Sequence, residues 1–130
     1  MKATVSWQNN LRFTCKTETG HTLDLDGNGE TMSPMESVLL SVGACSSIDV
    51  VDILKKSRKQ VDDCVCQLDA KRAEDAPRVF TSIHAHYIVK GENLSEKNVA
   101  RAVQLSSEKY CSVMLMLAGN VEITTSFELA

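Results

Sequence analysis

Aromatic residues and prolines are scarce in this chain, and neither sign of charge dominates it. Only 5% of the residues are aromatic, only two are proline, and the formal net charge is −3. Lysines and arginines are scattered, so no basic patch predicts binding to nucleic acid or to an anionic membrane. No linker, repeat or low-complexity segment interrupts the sequence, and residues 1–130 are expected to form a single domain.

Secretory and membrane signals are also lacking. Met1 and Lys2 lead directly into the alternating stretch ATVSW, and no stretch approaches the roughly 20 apolar residues that cross a bilayer. The five cysteines are an odd number, which argues against a disulfide scaffold. We therefore expect a cytoplasmic protein whose cysteines are buried, bind a metal or take part in redox chemistry.

Hydrophobic alternation predicts three strands at the start of the chain. The stretches ATVSWQ and LRFTCKT flank an Asn9-Asn10 turn, which is typical of a β-hairpin, and HTLDLD reads as a third short strand. A helix is expected to follow and to run to about Gln60. Ser33, Pro34 and Glu36 supply its N-cap, its first-turn proline and a capping-box acid. Apolar and small residues occur around nearly the whole circumference of this helix, which predicts that it lies in the centre of the fold.

The second half of the chain predicts two more strands, two helices and a last strand. The strands are CVCQLDAKR and RVFTSIHAHYIVKG, the helices begin at Ser95 and near Cys111, and strict alternation marks the end of the chain. The resulting order is βββ-α-ββ-αα-β. Groups of strands separated by helices indicate the α+β class with a mainly antiparallel sheet.

Two cysteines are candidate reactive thiols. Cys45 lies about nine residues inside the central helix, with Asp49 and Asp52 on roughly the same face. Cys111 follows SSEKY at a junction of helical segments, where free backbone N–H groups and Lys109 could favour a thiolate. Packing is the ordinary role of a helical cysteine, so from the residues alone either reading of Cys45 stands.

The stretch SPMESVLLSVGACSS, with its cysteine near mid-helix, and the later SEKYCSVMLML resemble the osmotically inducible protein C and organic hydroperoxide resistance (OsmC/Ohr) superfamily. The similarity spans essentially the whole chain. It implies long central helices and an intertwined homodimer with sites at the subunit interface. It also implies a thiol peroxidase that reduces organic hydroperoxides and needs no cofactor.

Carried onto this sequence, the resemblance makes Cys45 the peroxidatic thiol and Cys111 the resolving thiol, with an external dithiol as reductant. The peroxidase members also have a glutamate ten residues before the first cysteine and an arginine that pairs with it. Met35 stands at that position here, so Glu36 and Arg12 are the candidates for the two roles. Glu36 also has a structural explanation in the capping box, and Arg12 has one as a solvated strand residue.

Two alternatives concern other residues and another class of function. Cys64 and Cys66 could face His84 and His86 across a hairpin and hold zinc, whereas a strand register shifted by one residue would separate the two pairs. Packing explains their spacing better, and we expect no metal site. The alternative to a peroxidase is a non-catalytic dimer that binds a small apolar ligand or senses oxidant.

Overall fold

The computed structural model describes all of residues 1–130, in two compact units that comprise residues 1–40 and 41–130. The strands are β1 (Ala3–Asn9), β2 (Arg12–Thr17), β3 (Thr22–Asp26), β4 (Asp63–Arg72), β5 (Phe80–Lys90) and β6 (Glu122–Leu129). The helices are α1 (Pro34–Lys56), α2 (Glu96–Leu105) and α3 (Ser112–Leu117), with a π-helical turn, Ser106–Tyr110, between the last two. The predicted α+β class and the order βββ-α-ββ-αα-β are confirmed.

Residues 1–40 contain an antiparallel sheet in the order β1-β2-β3. Asn10, with a φ of 45°, makes the turn between β1 and β2 in the left-handed region that asparagine tolerates. Val5 pairs with Cys15 and Trp7 pairs with Phe13, so apolar side chains share one face of this sheet. Val5 and Trp7 remain 63% and 64% exposed. This apolar face is therefore uncovered in the single chain.

Helix α1 starts where the sequence predicts and ends at Lys56, four residues before the expected Gln60. Its 23 residues have a mean hydropathy of 1.7 over their most apolar window, so by length and composition they could cross a membrane. The expectation that no stretch approaches a membrane span was therefore wrong as a statement about length and composition. Val42, Val50 and Leu54 are buried within the protein, and 28% of that apolar window is buried.

Residues 41–130 contain the second sheet, in the order β4-β5-β6. The pairing of β4 with β5 is antiparallel, but β5 and β6 are parallel. A parallel partner requires a crossover, and α2, the π-helical turn and α3 form it. The sheet is thus mixed, although the pairings in the molecule as a whole are mainly antiparallel.

The core of residues 41–130 lies between the buried face of β5 and the buried residues of α1 and α2. Along β5, Ile83, Ala85, Tyr87 and Val89 are buried in strict alternation. Gly43 keeps α1 close to β4, because a Cβ at this position would lie only 2.8 Å from Cδ1 of Leu68. One side of α1, which carries Ser46, Val50 and Leu54, therefore faces the interior of this unit, whereas Ile48 is exposed.

Candidate active site

The thiols of Cys45 and Cys111 lie in hydrogen-bonding contact with each other. Cys45 is on α1 and is partly exposed, whereas Cys111 is completely buried between the π-helical turn and α3. The sequence separates them by 66 positions, and the fold brings them together. Both cysteines are free thiols in the structure.

Cys111 is the N-cap residue of α3, and its sulfur accepts a hydrogen bond from the Met114 N–H at 3.4 Å. The helix start therefore stabilises a thiolate, as the sequence suggests, but burial acts more strongly. Burial, together with the neighbouring Cys45, raises the pKa of Cys111 to about 11. Lys109, the cation expected to help, lies instead over the ring of Tyr110. Cys111 is therefore a protonated thiol at neutral pH.

Differential alkylation tests this protonation state. In wild-type protein treated with iodoacetamide at pH 7, Cys45 should be modified well before Cys111, as followed by peptide mapping. The rate at Cys111 should then rise about tenfold per pH unit up to about pH 11, because only the thiolate reacts. Equal labelling of the two residues at pH 7 would contradict the assignment.

Several side chains near Cys45 form hydrogen bonds with residues of α1. Tyr87 donates to the Ser46 hydroxyl at 2.6 Å, and Ser46 donates to the Val42 carbonyl at 2.7 Å. From the π-helical turn, the Ser106 hydroxyl donates to Oδ2 of Asp49 at 3.0 Å. Each side chain is polar and at least partly buried, and each has a partner. Sequence reasoning identified Asp49 by its helical spacing from Cys45 but gave no signal for Tyr87 or Ser106.

Arg12 and Glu36 form their bonds within residues 1–40. A guanidinium nitrogen of Arg12 lies 3.1 Å from Oδ2 of Asp24, and this bond is the main reason that the pKa of Asp24 lies below its usual range. Glu36 accepts a hydrogen bond from the Ser33 N–H, and its own N–H donates to the Ser33 hydroxyl, both at 3.1 Å. The capping box is therefore formed in full.

The capping role predicts the behaviour of Glu36→Ala. We expect the midpoint of thermal unfolding to fall by roughly 2 to 5 °C, with hydroperoxide turnover little changed. Bonding to Ser33 lowers the pKa of Glu36, so the stabilisation is present above its unfolded value of 4.5 and is lost as the pH falls through the lower folded value. Glu30→Ala, a change at an exposed carboxylate nearby, is the control.

The opposite outcome for Glu36→Ala would assign the residue differently. A variant that melts like wild type but loses turnover would make Glu36 a catalytic acid. Differential scanning calorimetry at pH 7 and pH 4, with turnover measured on the same samples, separates the two roles.

The register of β4 with β5 is incompatible with the alternative zinc site. Cys64 pairs with Val89 and Cys66 pairs with Tyr87, so both cysteines lie on the buried face of the sheet. His84 and His86 alternate with those buried residues and lie on the opposite face. There the imidazole nitrogens bond to the hydroxyls of Thr124 and Ser126 at 2.7 to 2.8 Å. The two cysteines and two histidines therefore cannot ligate one ion.

This arrangement of two small sheets and three helices is that of an OsmC-like protein. Residues 27–126 match the family model described as OsmC-like protein, and the chain belongs to that family. It is 51% identical to Protein YhfA of Escherichia coli strain K12 over 130 residues, which cover 98% of this chain and 97% of that one. The resemblance found in the sequence is thus confirmed at the level of the family.

Solved structures show the same fold. The crystal structure of a hypothetical protein from Aquifex aeolicus is 35% identical, with a TM-score of 0.90 over 99% of this chain and 95% of that one. The organic hydroperoxide resistance protein OhrB of Bacillus subtilis is 17% identical, with a TM-score of 0.65 over 98% of each chain.

Proposed function

We propose that the protein is a thiol peroxidase that reduces organic hydroperoxides through Cys45 and Cys111. The observation that carries this proposal is the contact between a partly exposed thiol and a fully buried, protonated one. The Cys45 thiol can react with a peroxide that enters from solvent, whereas the Cys111 thiol can react only with Cys45. The likeness to an organic hydroperoxide resistance protein supports the same substrate class.

In the first step the Cys45 thiolate attacks one peroxide oxygen. A sulfur–oxygen bond forms, the oxygen–oxygen bond breaks, and the alkoxide leaves as an alcohol after taking a proton. Cys45 is oxidised to a sulfenic acid while the hydroperoxide is reduced. In the second step the Cys111 thiol attacks the sulfur of Cys45, the disulfide forms, and hydroxide leaves as water with the proton of Cys111. An external dithiol then restores both thiols by exchange and becomes a disulfide itself.

The test is turnover of cumene hydroperoxide with dithiothreitol as reductant, compared with turnover of hydrogen peroxide. The expected result is faster consumption of the organic peroxide, and Cys15→Ser, a change outside the thiol pair, should behave like wild type. Consumption no faster than that of dithiothreitol with an unrelated cysteine protein would end the peroxidase proposal.

The alternative function, binding of a small apolar ligand, draws on the uncovered face of residues 1–40. A groove of about 490 Å³ there is lined mainly by apolar side chains, among them Val5, Leu11, Phe13 and Leu25. Apolar pockets of this size are typical of small-molecule sites. Saturable binding of a fatty acid without any peroxide turnover would favour this alternative.

The working unit is proposed to be a homodimer in the cytoplasm, where thiols stay reduced. Both units of the chain expose apolar side chains that a second copy could cover, including Trp7 at 64%, Ile48 at 69% and Met116 at 74%. Isolated surface leucines are normal, but uncovered apolar faces of this extent point to an interface.

Light scattering at micromolar concentration should therefore give about twice the chain mass of 14.3 kDa. Ile48→Glu should shift the mass toward the monomer, because it puts a charge on the exposed apolar side of α1. Val79→Glu, at a 52% exposed position in the β4–β5 connection, is the control. A wild-type mass near 14 kDa would contradict the dimer.

A further inference from the structure

The π-helical turn Ser106–Tyr110 bonds directly to the backbone N–H of Cys111. The N–H of Cys111 donates to the carbonyl of Ser106 at 2.7 Å, five residues back. A π-helical turn inserts an additional residue into the helical path and is frequent at functional sites. The backbone position of Cys111 therefore depends directly on where Ser106 is held.

The side chain of Ser106 is held by two residues of α1 that follow Cys45 in the chain. Its hydroxyl oxygen lies 3.0 Å from Oδ2 of Asp49 and 3.3 Å from the carbonyl oxygen of Ser46, and it donates its one hydrogen to these acceptors. Ser46 directly follows Cys45, and Asp49 is one helical turn beyond it. Ser106 is only 1% exposed, so water does not compete for the hydroxyl.

We propose that Ser106, through Asp49, is a positioning residue that keeps the Cys111 thiol within bonding reach of Cys45. The inference rests on the proposed peroxidase function. One residue bonds by its carbonyl to the segment that carries Cys111 and by its hydroxyl to the segment that carries Cys45. Removal of the hydroxyl takes away these side-chain bonds to α1, while both thiols and the backbone bonds of Ser106 to α2 remain.

Positioning matters for the second chemical step more than for the first. The sulfenic acid on Cys45 has two fates. Attack by the Cys111 sulfur forms the disulfide and releases water, whereas attack on a second peroxide gives a sulfinic acid and an alcohol. The first fate is intramolecular and depends on the distance between the two sulfurs, and the second depends on peroxide concentration. A looser turn changes the ratio between them.

The experiment compares Ser106→Ala with Ser107→Ala in the full-length protein. Ser107 is the adjacent hydroxyl and bonds only to the Gln104 carbonyl of its own helical segment, at 3.2 Å. Stopped-flow measurements with cumene hydroperoxide give the rate of Cys45 oxidation and the rate of disulfide formation separately. Mass spectrometry gives the fraction of Cys45 that becomes sulfinic acid at a fixed excess of peroxide.

For Ser106→Ala we expect Cys45 oxidation within about twofold of wild type and disulfide formation slowed by about tenfold or more. The sulfinic fraction should rise accordingly, and Ser107→Ala should match wild type in all three readouts. Asp49→Ala removes the nearer of the two acceptors from a partly exposed position and should slow disulfide formation in the same way without slowing Cys45 oxidation. It therefore keeps the proposal falsifiable if the buried Ser106 change prevents folding.

Equal slowing of both steps would show that Ser106 is only structural, and an unchanged disulfide rate in a folded variant would overturn the positioning role. Failure of the proposed function looks different. Wild-type protein would then form neither a sulfenic acid nor a Cys45–Cys111 disulfide, whatever residue stands at position 106.

Discussion

Cys45→Ser is expected to abolish reaction with organic hydroperoxide altogether, including the first stoichiometric event. The substitution removes the sulfur that attacks the peroxide, and Cys111 cannot replace it because that thiol is completely buried and its pKa is raised to about 11. The rate of peroxide consumption should fall by several orders of magnitude, to the rate seen with a protein that has no reactive thiol. Peroxide consumption in a single-turnover assay, without reductant, is the measurement.

Cys111→Ser is the matched variant with the opposite expectation. It should react once at the wild-type rate, retain a sulfenic acid that a dimedone probe detects, and over-oxidise in excess peroxide. Wild type treated with one equivalent of peroxide should instead yield a Cys45–Cys111 disulfide in a non-reducing peptide map. A first event that survives in Cys45→Ser and disappears in Cys111→Ser would reverse the two roles. Wild-type behaviour in both would remove the peroxidase proposal.

The oxidised protein should unfold at a markedly higher temperature than the reduced protein. A Cys45–Cys111 disulfide closes a loop of about 66 residues, and the chain-entropy model gives about 4 kcal/mol of stabilisation for such a loop. For a chain of this size that corresponds to an increase on the order of 10 °C in Tm. This gain is expected because the side chains of the two cysteines already interact in the reduced fold.

Calorimetry of wild type before and after one equivalent of cumene hydroperoxide gives the comparison. Cys111→Ser treated identically should show no increase, which separates the cross-link from other effects of oxidation. An oxidised wild-type protein that melts at or below the reduced one would mean that the disulfide distorts α1 or the π-helical turn.

The sequence was sufficient to predict the order of elements, because local signals mark them strongly. Ser33, Pro34 and Glu36 define the start of α1, and alternation along β5 and β6 defines both strands. The parallel pairing of β5 with β6 has no local signal, because it depends on how the crossover returns the chain. The sheet register that separates Cys66 from His86 was likewise open until both strands were paired.

The candidate site also has features that the local sequence predicts and features that arise only from the fold. Cys45 and Cys111 could be selected from sequence context, but their contact comes from the fold, and so does the burial that raises the pKa of Cys111. Helix-end arguments alone made Cys111 the better thiolate, because desolvation cannot be read from local sequence. Ser106 lies in a stretch that reads as the continuation of an ordinary helix, so neither its π-helical turn nor its bond to Asp49 could be predicted.

The crossover that returns the chain to a parallel strand also places the second thiol late in synthesis on the ribosome. Cys45, β4 and β5 leave the ribosome first, and β6, the only strand that pairs with the far edge of β5, is made last. Until Cys111 has been made, 66 positions later, Cys45 has no second thiol beside it, and under the proposed mechanism a sulfenic acid formed there could not be converted to the disulfide within the chain.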